Sequence, residues 1–263
     1  MKTLRLLQIT DTHCFSDDHT SLFWSALPVK PNQSLQRLLA HFQRHAADAL
    51  IISGDLAQEE SLATYQRLNQ HLALAPAPVY VLPGNHDVPE LMAQVFQAPT
   101  SHAHFQTSAN FGFWHCYFLD TSLAGHGAGY LSQQKLDALR LWFEQLAPED
   151  FVLLFMHHHP ITIGSGWMES HGLQQAEQFW DCVAPFPQLK AIGFGHIHNS
   201  HQGSYQLPDG RIIPVLGTPA TCVQLAHTQA TIQFEHTRSG WREWLLAADG
   251  TLSSNVHFLP SVN

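Results

Sequence analysis

The sequence predicts an α/β protein with a large share of β-structure. Two observations carry this prediction. Five short, strongly apolar segments are separated by stretches with helical spacing, as in proteins whose buried strands alternate with helices. Later segments are β-like and include Asp-Gly pairs, which are typical of hairpin turns. We therefore expect the α/β class, with hairpins toward the carboxyl end.

Each of the five apolar segments has the length and composition of a buried strand. In chain order they are LRLLQIT, ALIIS, VYVL, FVLLFM and LKAIGF. Apolar stripes at helical spacing indicate two helices, one through Leu35, Leu38, Leu39 and Phe42 and one through Leu136, Leu139, Phe143 and Leu146. Further β-like segments are FGFWHCYFLD, RIIPVLGT, ATIQFEH and WREWLLAADGTL, with hairpin turns expected at Asp209-Gly210 and Asp249-Gly250.

Length and composition narrow the class of protein. A chain of 263 residues can bury one sizeable core, and no linker-like segment divides it, so we expect a single domain over 1–263. The formal net charge is −9 and the 12 Lys and Arg residues are dispersed, which argues against a nucleic-acid partner. No segment has the length of a membrane helix, so no membrane partner is expected. The four cysteines lack a C-x-x-C spacing, which favours a reduced, cytoplasmic protein.

Polar side chains with metal-binding potential follow each apolar strand. The five endings are Asp11-Thr12-His13, Gly54-Asp55, Gly84-Asn85-His86-Asp87, His157-His158-His159 and Gly195-His196-Ile197-His198. In an open α/β sheet the carboxyl ends of the strands meet at one edge, where ligands bind. One such ending can be turn chemistry alone, for instance a helix N-cap before Pro89, but five in chain order point to one shared site.

Seven of these residues form a candidate metal-ligand set: Asp11, His13, Asp55, Asn85, His157, His196 and His198. Within Asp-x-His and His-x-His the two residues are two positions apart, which in an extended segment places both side chains on the same side. Oxygen and imidazole ligands without cysteine favour manganese, iron or zinc. Seven ligands exceed the needs of one tetrahedral ion. The set therefore predicts two divalent or mixed-valence transition-metal ions that share one carboxylate, a centre suited to hydrolysing phosphate esters.

The motif series Asp-x-His, Gly-Asp, Gly-Asn-His-Asp, His and Gly-His-x-His, spread over residues 11–198, resembles the calcineurin-like metallophosphoesterase superfamily. The segments LQITDTH, GDLAQ, LPGNHD, MHHHP, GHIH, TPATCVQ and GWREWLLAADGTL resemble its bacterial cyclic-AMP phosphodiesterases over nearly the whole chain. The resemblance implies a four-layer αββα sandwich of two facing mixed β-sheets, with the metals at their shared edge.

The resemblance also implies how the ligands divide between the two metals. One ion would be held by Asp11, His13, Asp55 and His198, and the other by Asp55, Asn85, His157 and His196. Asp55 is thus the expected bridge, and a carboxylate with two oxygens suits that role better than the single carbonyl oxygen of Asn85.

Two further residues of the third motif are expected to take part in catalysis. His86 is left over from the ligand set and would contact the phosphate or protonate the leaving oxygen, with Asp87 fixing its tautomer. Substrate contacts are expected from Asn85, His86, His159 and His198.

The triple histidine leaves two possible ligands open. In the superfamily the ligand is usually the first polar residue after the strand, which selects His157, whereas counting back from the proline selects His158. We expect His157, because extended geometry would turn His158 to the other side. His159 would then face the same way as His157 and line the substrate pocket, with a hydrogen-bonded supporting role as the alternative.

The expected reaction is hydrolysis of 3′,5′-cyclic AMP to 5′-AMP by attack of a metal-bound hydroxide on this small-molecule phosphodiester. Substrate selection is assigned to residues 14–33 and to ITIGSGWMESHG, in which Trp24 or Trp167 would either stack on a base or anchor its loop. LPVKP differs from the Leu-Gly-Val-x-Thr of the cyclic-AMP group. The alternative is therefore a broad-specificity enzyme acting on other small phosphodiesters or phosphomonoesters.

Overall fold

The computed structural model describes residues 3–226 and 231–260. Within them, the five apolar segments form strands within one residue of the predicted bounds. The strands are β1 (Leu4–Ile9), β2 (Ala49–Ser53), β3 (Val79–Leu82), β4 (Ala103–His104), β5 (Ser108–Phe111), β6 (Trp114–Leu119), β7 (Phe151–Met156), β8 (Leu189–Phe194), β9 (His201–Gln206), β10 (Ile212–Gly217), β11 (Gln224–Leu225), β12 (Phe234–His236), β13 (Gly240–Leu246) and β14 (Leu252–Phe258).

Helices connect the parallel strands. They are α1 (Pro31–Phe42), α2 (Leu62–Leu72), α3 (Pro89–Phe96), α4 (Gln133–Glu144) and α5 (Ala176–Val183), with one 3₁₀ turn at Glu169–His171. Proline occupies the first turn of α1 and α3, where its missing N–H costs nothing. Ser61 and Ser132 cap α2 and α4 by accepting backbone hydrogen bonds. The predicted helical stripes lie on α1 and α4, except that Leu146 follows the end of α4.

The strands form two mixed six-stranded sheets and one two-stranded ribbon. The first sheet has the order β14-β13-β1-β2-β3-β4, with β1 to β4 parallel and β13 antiparallel to β1. The second has the order β5-β6-β7-β8-β10-β9, with β6, β7, β8 and β10 parallel. Strands β11 and β12 form the ribbon. A helix lies between the consecutive parallel strands of each sheet, whereas β8 and β10 are joined through the antiparallel β9.

Three apolar clusters define the layers. Leu6 and Ile51 of the first sheet pack with Phe155 of the second, so the two sheets face each other. The opposite face of the first sheet packs against α1, α2 and α3, and that of the second against α4 and α5. Strands such as β2 are buried on both faces, which explains their uninterrupted apolar sequence. The predicted four-layer αββα sandwich is thereby confirmed.

The predicted hairpins also form. Gly210 and Gly250 take positive φ in the turns joining β9 to β10 and β13 to β14. The segment FGFWHCYFLD contains a third turn at Gly112, so Phe111 ends β5 and Trp114–Leu119 form β6. ATIQFEH contributes only β12, and its first residue, Ala230, lies outside the described residues. None of the helices that the structure describes combines the length and apolar character needed to cross a bilayer.

Candidate metal centre

The loops that follow β1, β2 and β3 of the first sheet meet those that follow β7 and β8 of the second. Backbone hydrogen bonds join them: Asp11 N–H donates to the carbonyl of Gly54 (3.0 Å) and Gly195 N–H to the carbonyl of His157 (3.1 Å). The N–H of His196 donates to Oδ2 of Asp11 at 3.0 Å. The structure therefore brings all five predicted strand endings to one edge.

Backbone conformation marks the same residues. Among the residues that the structure describes, the non-glycine residues with positive φ are Asp11, His13, Asp55, His196 and His198, with φ between 44° and 71°. L-residues adopt this left-handed region at a cost of about 1 kcal/mol each, so the surrounding structure must impose it. Such strain concentrates at functional sites, and here every strained residue is a predicted metal ligand.

The first group of donor atoms is formed by His13, His198 and Asp11. The Nε2 atoms of His13 and His198 lie 3.1 Å apart, and Nε2 of His198 lies 3.3 Å from Oδ1 of Asp11. Nδ1 of His198 donates to the carbonyl of Val223 (2.8 Å), which leaves a lone pair on Nε2. These lone pairs converge on one point, which is the geometry of a metal site.

The second group is centred on Asp55 and His157. Oδ2 of Asp55 lies 3.3 Å from Nε2 of His157 and 3.7 Å from Nε2 of His13, so this oxygen reaches toward both groups. Its other oxygen, Oδ1, accepts the backbone N–H of His86 at 2.9 Å. Nδ1 of His157 donates to the carbonyl of Ser53 (2.9 Å), which points Nε2 into the centre. Asp55 thus lies between the two groups of donor atoms.

Buried oxygen and nitrogen atoms that lack a hydrogen-bond partner indicate whether a cation suits this site. Several at the centre have no hydrogen-bond partner within the described part of the chain: Oδ1 of Asp11, Oδ1 of Asn85, and Nε2 of His157, His158 and His196. Leaving such atoms unpaired is unfavourable, and a metal ion would satisfy them. Imidazole nitrogen together with carboxylate and amide oxygen is a donor set that transition metals accept. The residues present fit the predicted metal pair.

Electrostatics agree with this assignment. Burial lowers the pKa of His13 to about 3, so its imidazole is neutral and available as a ligand. Burial also lowers the pKa of His157, but the carboxylate of Asp55 outweighs it and raises that pKa to about 9. Burial raises the pKa of Asp55, yet the imidazole of His157 holds it well below its usual value. Without a cation each group therefore stabilises the charged form of the other, and a metal ion would take the place of the imidazolium proton.

Glycines in the motifs make room for the centre. A Cβ on Gly84 would lie 2.2 Å from Oδ1 of Asp55 and 2.8 Å from Nε2 of His157. A Cβ on Gly54 would lie 2.3 Å from Nδ1 of His157, and Gly54 also has φ of 97°. The Gly-Asp and Gly-Asn-His-Asp motifs therefore need glycine because backbone and ligand side chains approach closely.

His86 lies beside the first group and is only half-buried. Its ring centroid is 5.0 Å from that of His13. The predicted contact from Asp87 to His86 is not found among the hydrogen bonds of the described residues. The carboxylate of Asp87 instead accepts the Tyr65 hydroxyl and the backbone N–H groups of Leu56, Ala57 and Gly84. Asp87 therefore holds together the loops after β2 and β3.

The triple histidine differs from the sequence-based expectation in one respect. His157 lies in the centre, as expected. His158 does not turn away: its ring centroid is 4.9 Å from that of His157 and 4.7 Å from that of His196. The extended geometry assumed for it ends with Met156, the last residue of β7. His159 is 2% exposed, and its ring lies 6.1 Å from that of His196 at the wall of a cleft shared with Trp180.

The expected geometry of the two-residue spacings is also wrong. Asp11, His13, His196 and His198 follow their strands in left-handed conformations, where alternation of side chains does not apply. His196 consequently joins the rings of His157 and His158, while His198 joins His13. The two histidines of Gly-His-x-His thus lie in different groups of donor atoms.

Two further residues neighbour the centre: Trp24, which was expected to stack on a base or to anchor its loop, and Cys222, which the sequence reasoning missed. Trp24 lies with its ring centroid 5.6 Å from those of both His13 and His198, and its indole N–H donates to Gln58 (3.0 Å). Sγ of Cys222 lies 4.0 Å from Nδ1 of His198. Trp24 could be singled out because it lies in the loop directly after Asp-x-His. Nothing in the local sequence distinguishes Cys222 from the other cysteines.

Comparison with known proteins identifies the family of this chain and structures that share its fold. Residues 4–200 match the family of calcineurin-like phosphoesterases. The chain is 37% identical to the 3′,5′-cyclic adenosine monophosphate phosphodiesterase CpdA of Vibrio vulnificus (strain CMCP6), covering 98% of this chain and 91% of that protein. It is 35% identical to the protein of the same name from Escherichia coli (strain K12), covering 97% and 90%. A dimetal phosphatase from Danio rerio superposes with a TM-score of 0.63 at 10% identity, covering 92% of this chain and 95% of that one, which shows the shared fold.

Proposed function

The chain belongs to the calcineurin-like phosphoesterase family, and from that premise we propose that it is a dinuclear metal-dependent phosphodiesterase that hydrolyses 3′,5′-cyclic AMP to 5′-AMP. The observation that carries the proposal is the pair of buried donor groups joined through the carboxylate of Asp55. One group without the other would support a single metal site. Two groups with a shared oxygen ligand are what a two-metal hydrolase requires.

The first metal would be held by Asp11, His13, Asp55 and His198, and the second by Asp55, Asn85, His157 and His196. When bound, two such ions supply positive charge to the phosphoryl oxygens and lower the pKa of the attacking water. This charge matters because the chain is acidic and its Lys and Arg residues are dispersed. The donor side chains are pre-positioned by backbone hydrogen bonds, so little reorganisation is needed on binding.

His86 is the residue proposed to handle the proton of the leaving group. Its half-buried ring stands beside the first donor group, and its backbone N–H is held by Oδ1 of Asp55. This hydrogen bond fixes the backbone of His86 beside the centre, from which its side chain can serve as the positioned general acid. In the hydrolysis of a 3′,5′-cyclic phosphate, His86 would protonate the ribose 3′-oxygen as its bond to phosphorus breaks.

Substrate contacts are proposed for Asn85, His86, His159 and His198. Asn85 and His86 are half-buried and therefore reachable, while His159 borders the adjoining cleft. The names of the relatives support cyclic AMP as the substrate. A cyclic diester carries one negative charge, which the two metals can bind without a basic surface. The four cysteines are free and buried, in keeping with a reducing compartment, so the proposal includes a cytoplasmic location.

The proposal is tested by incubating the purified protein, loaded with Mn²⁺, Fe²⁺ or Zn²⁺, with cyclic AMP, bis(p-nitrophenyl) phosphate and p-nitrophenyl phosphate. We expect 5′-AMP from cyclic AMP, loss of activity on chelation, and loss in Asp55→Asn. The exposed Asp181→Asn on α5 serves as the matched control and should retain activity. Cleavage of the artificial diester with cyclic AMP untouched over hours would replace this function with that of a broad-specificity phosphoesterase.

A further inference from the structure

We propose that His158 is a third imidazole ligand at the second metal position, beside His157 and His196. The inference rests on the proposed dinuclear centre and adds a ligand to it. It concerns the middle residue of the triple histidine, which the ligand set assigned from the motifs leaves out.

The spacing of the three rings carries the inference. Ring centroids are 4.9 Å apart for His157 and His158, 4.7 Å for His158 and His196, and 4.9 Å for His157 and His196. One ring nitrogen from each lies within 4.8 Å of the others. The pair assigned to the first metal, His13 and His198, has a centroid distance of 5.1 Å with its Nε2 atoms 3.1 Å apart. The three rings are thus as close as a pair that already converges on one point.

The orientation of His158 is set by its surroundings. Nδ1 lies 2.8 Å from the hydroxyl oxygen of Thr121. A Cβ on Gly129 would lie 2.7 Å from Cβ and Cγ of His158, so the glycine allows the backbone to pack against the ring. When Nδ1 donates its proton to Thr121, Nε2 carries a lone pair, and this atom is buried without a hydrogen-bond partner in the described part of the chain. Thr121 therefore acts as the residue that orients a histidine ligand.

The proposal predicts different metal preferences at the two positions. The first would have two imidazoles and two carboxylates. The second would have three imidazoles, one amide oxygen and one carboxylate. Nitrogen-rich sites favour zinc, iron and cobalt, whereas oxygen-rich sites suit manganese and magnesium. We therefore expect zinc or cobalt to be retained longest at the second position.

The test compares His158→Ala with His159→Ala, the neighbouring histidine that lies outside the trio. Both proteins are loaded with Co²⁺, the metal content is followed against increasing chelator, and the visible Co²⁺ spectrum is recorded. In His158→Ala we expect release of one ion at ~10–100-fold lower chelator concentration, a changed spectrum and an unaffected first ion. His159→Ala, which removes a proposed substrate contact and no metal ligand, should keep the chelator resistance and the Co²⁺ spectrum of the wild-type protein. Retention of both ions by His158→Ala at wild-type affinity, with an unchanged spectrum, overturns the proposal.

A second measurement does not depend on the folding of a variant. In the Zn²⁺-loaded wild-type protein labelled with ¹⁵N-histidine, we expect metal-shifted ring nitrogens from His13, His157, His158, His196 and His198. A spectrum in which the nitrogens of His158 lack the metal shift overturns the proposal. The outcomes also separate the two proposals: a protein that binds no metal contradicts the proposed function, whereas two bound ions without His158 contradict only this inference.

Discussion

Oδ2 of Asp55 lies 3.3 Å from Nε2 of His157, and this contact joins the two β-sheets. Asp55 follows β2 in the first sheet, and His157 follows β7 in the second. Both side chains are buried, so their mutual attraction is little screened by solvent. The centre thus depends on how the two sheets face each other as well as on its own loops.

Replacing Asp55 should affect both metals. Because its Oδ2 reaches toward both donor groups, Asp55→Ala should bind neither ion at wild-type affinity. Asn85→Ala removes a ligand from the second position alone and should keep one ion. Elemental analysis of the purified variants measures this directly. Two retained ions in Asp55→Ala would contradict the bridging assignment.

Replacing His86 should separate metal binding from catalysis. His86→Ala is expected to keep both metals and to lose ~10²–10⁴-fold in kcat, the usual contribution of a general acid. The loss should be smaller for bis(p-nitrophenyl) phosphate, since p-nitrophenolate leaves without a proton. Kinetics with good and poor leaving groups check this. An equal loss for both would indicate that His86 positions the phosphate.

Adding one methyl group at Gly84 should disturb the centre. The Cβ of Gly84→Ala would lie 2.2 Å from Oδ1 of Asp55, so we expect a loss of about 1–3 kcal/mol in stability and weaker metal binding. Gly166→Ala is the matched control, because within the described structure its Cβ would meet nothing within 4 Å. Thermal denaturation and metal titration measure both effects. Wild-type metal affinity in Gly84→Ala would show that the loops adjust without cost.

Replacing Asp87 tests whether its hydrogen bonds hold together the loops after β2 and β3. Asp87→Asn puts an amide NH₂ opposite backbone N–H donors and should cost about 1–3 kcal/mol in the free energy of unfolding. Tyr65→Phe removes only the hydroxyl that donates to Asp87 and should cost less. Denaturant unfolding measures both. If Asp87→Asn lowers kcat without changing stability, the expectation that it governs the tautomer of His86 regains support.

The loop over residues 14–33 should give a pH-dependent contribution to stability. Hydrogen bonds from Arg67, aided by His71 and Asn32, hold the pKa of Asp18 well below its usual value despite partial burial. The folded state therefore gains stability wherever Asp18 is ionised in the unfolded chain, above about pH 4, and loses it as the pH falls below that. Asp18→Asn should lower the Tm at pH 7, and its difference from wild type should shrink toward pH 3. A constant difference over that range would contradict this.

The sequence was sufficient for the five buried apolar strands and for the polar residues that gather at their carboxyl ends. Segments such as ALIIS and FVLLFM are buried on both faces, and that burial leaves a local signal in the residues themselves. The seven candidate ligands were recognisable because each follows such a strand, and the carboxyl ends of parallel strands meet at one edge. Local composition and chain order carry that information.

The tertiary structure alone decided where the side chains point once the strands end. Asp11 and His198 lie in left-handed conformations that periodicity cannot predict, because contacts between the two sheets impose them. Contacts between loops also turn His158 toward His196 and hold Asp87 on backbone amides rather than on the ring of His86. They also bring Trp24 beside His13. These relationships join residues far apart in the chain, and their energies depend on packing between layers, which no short stretch of sequence records.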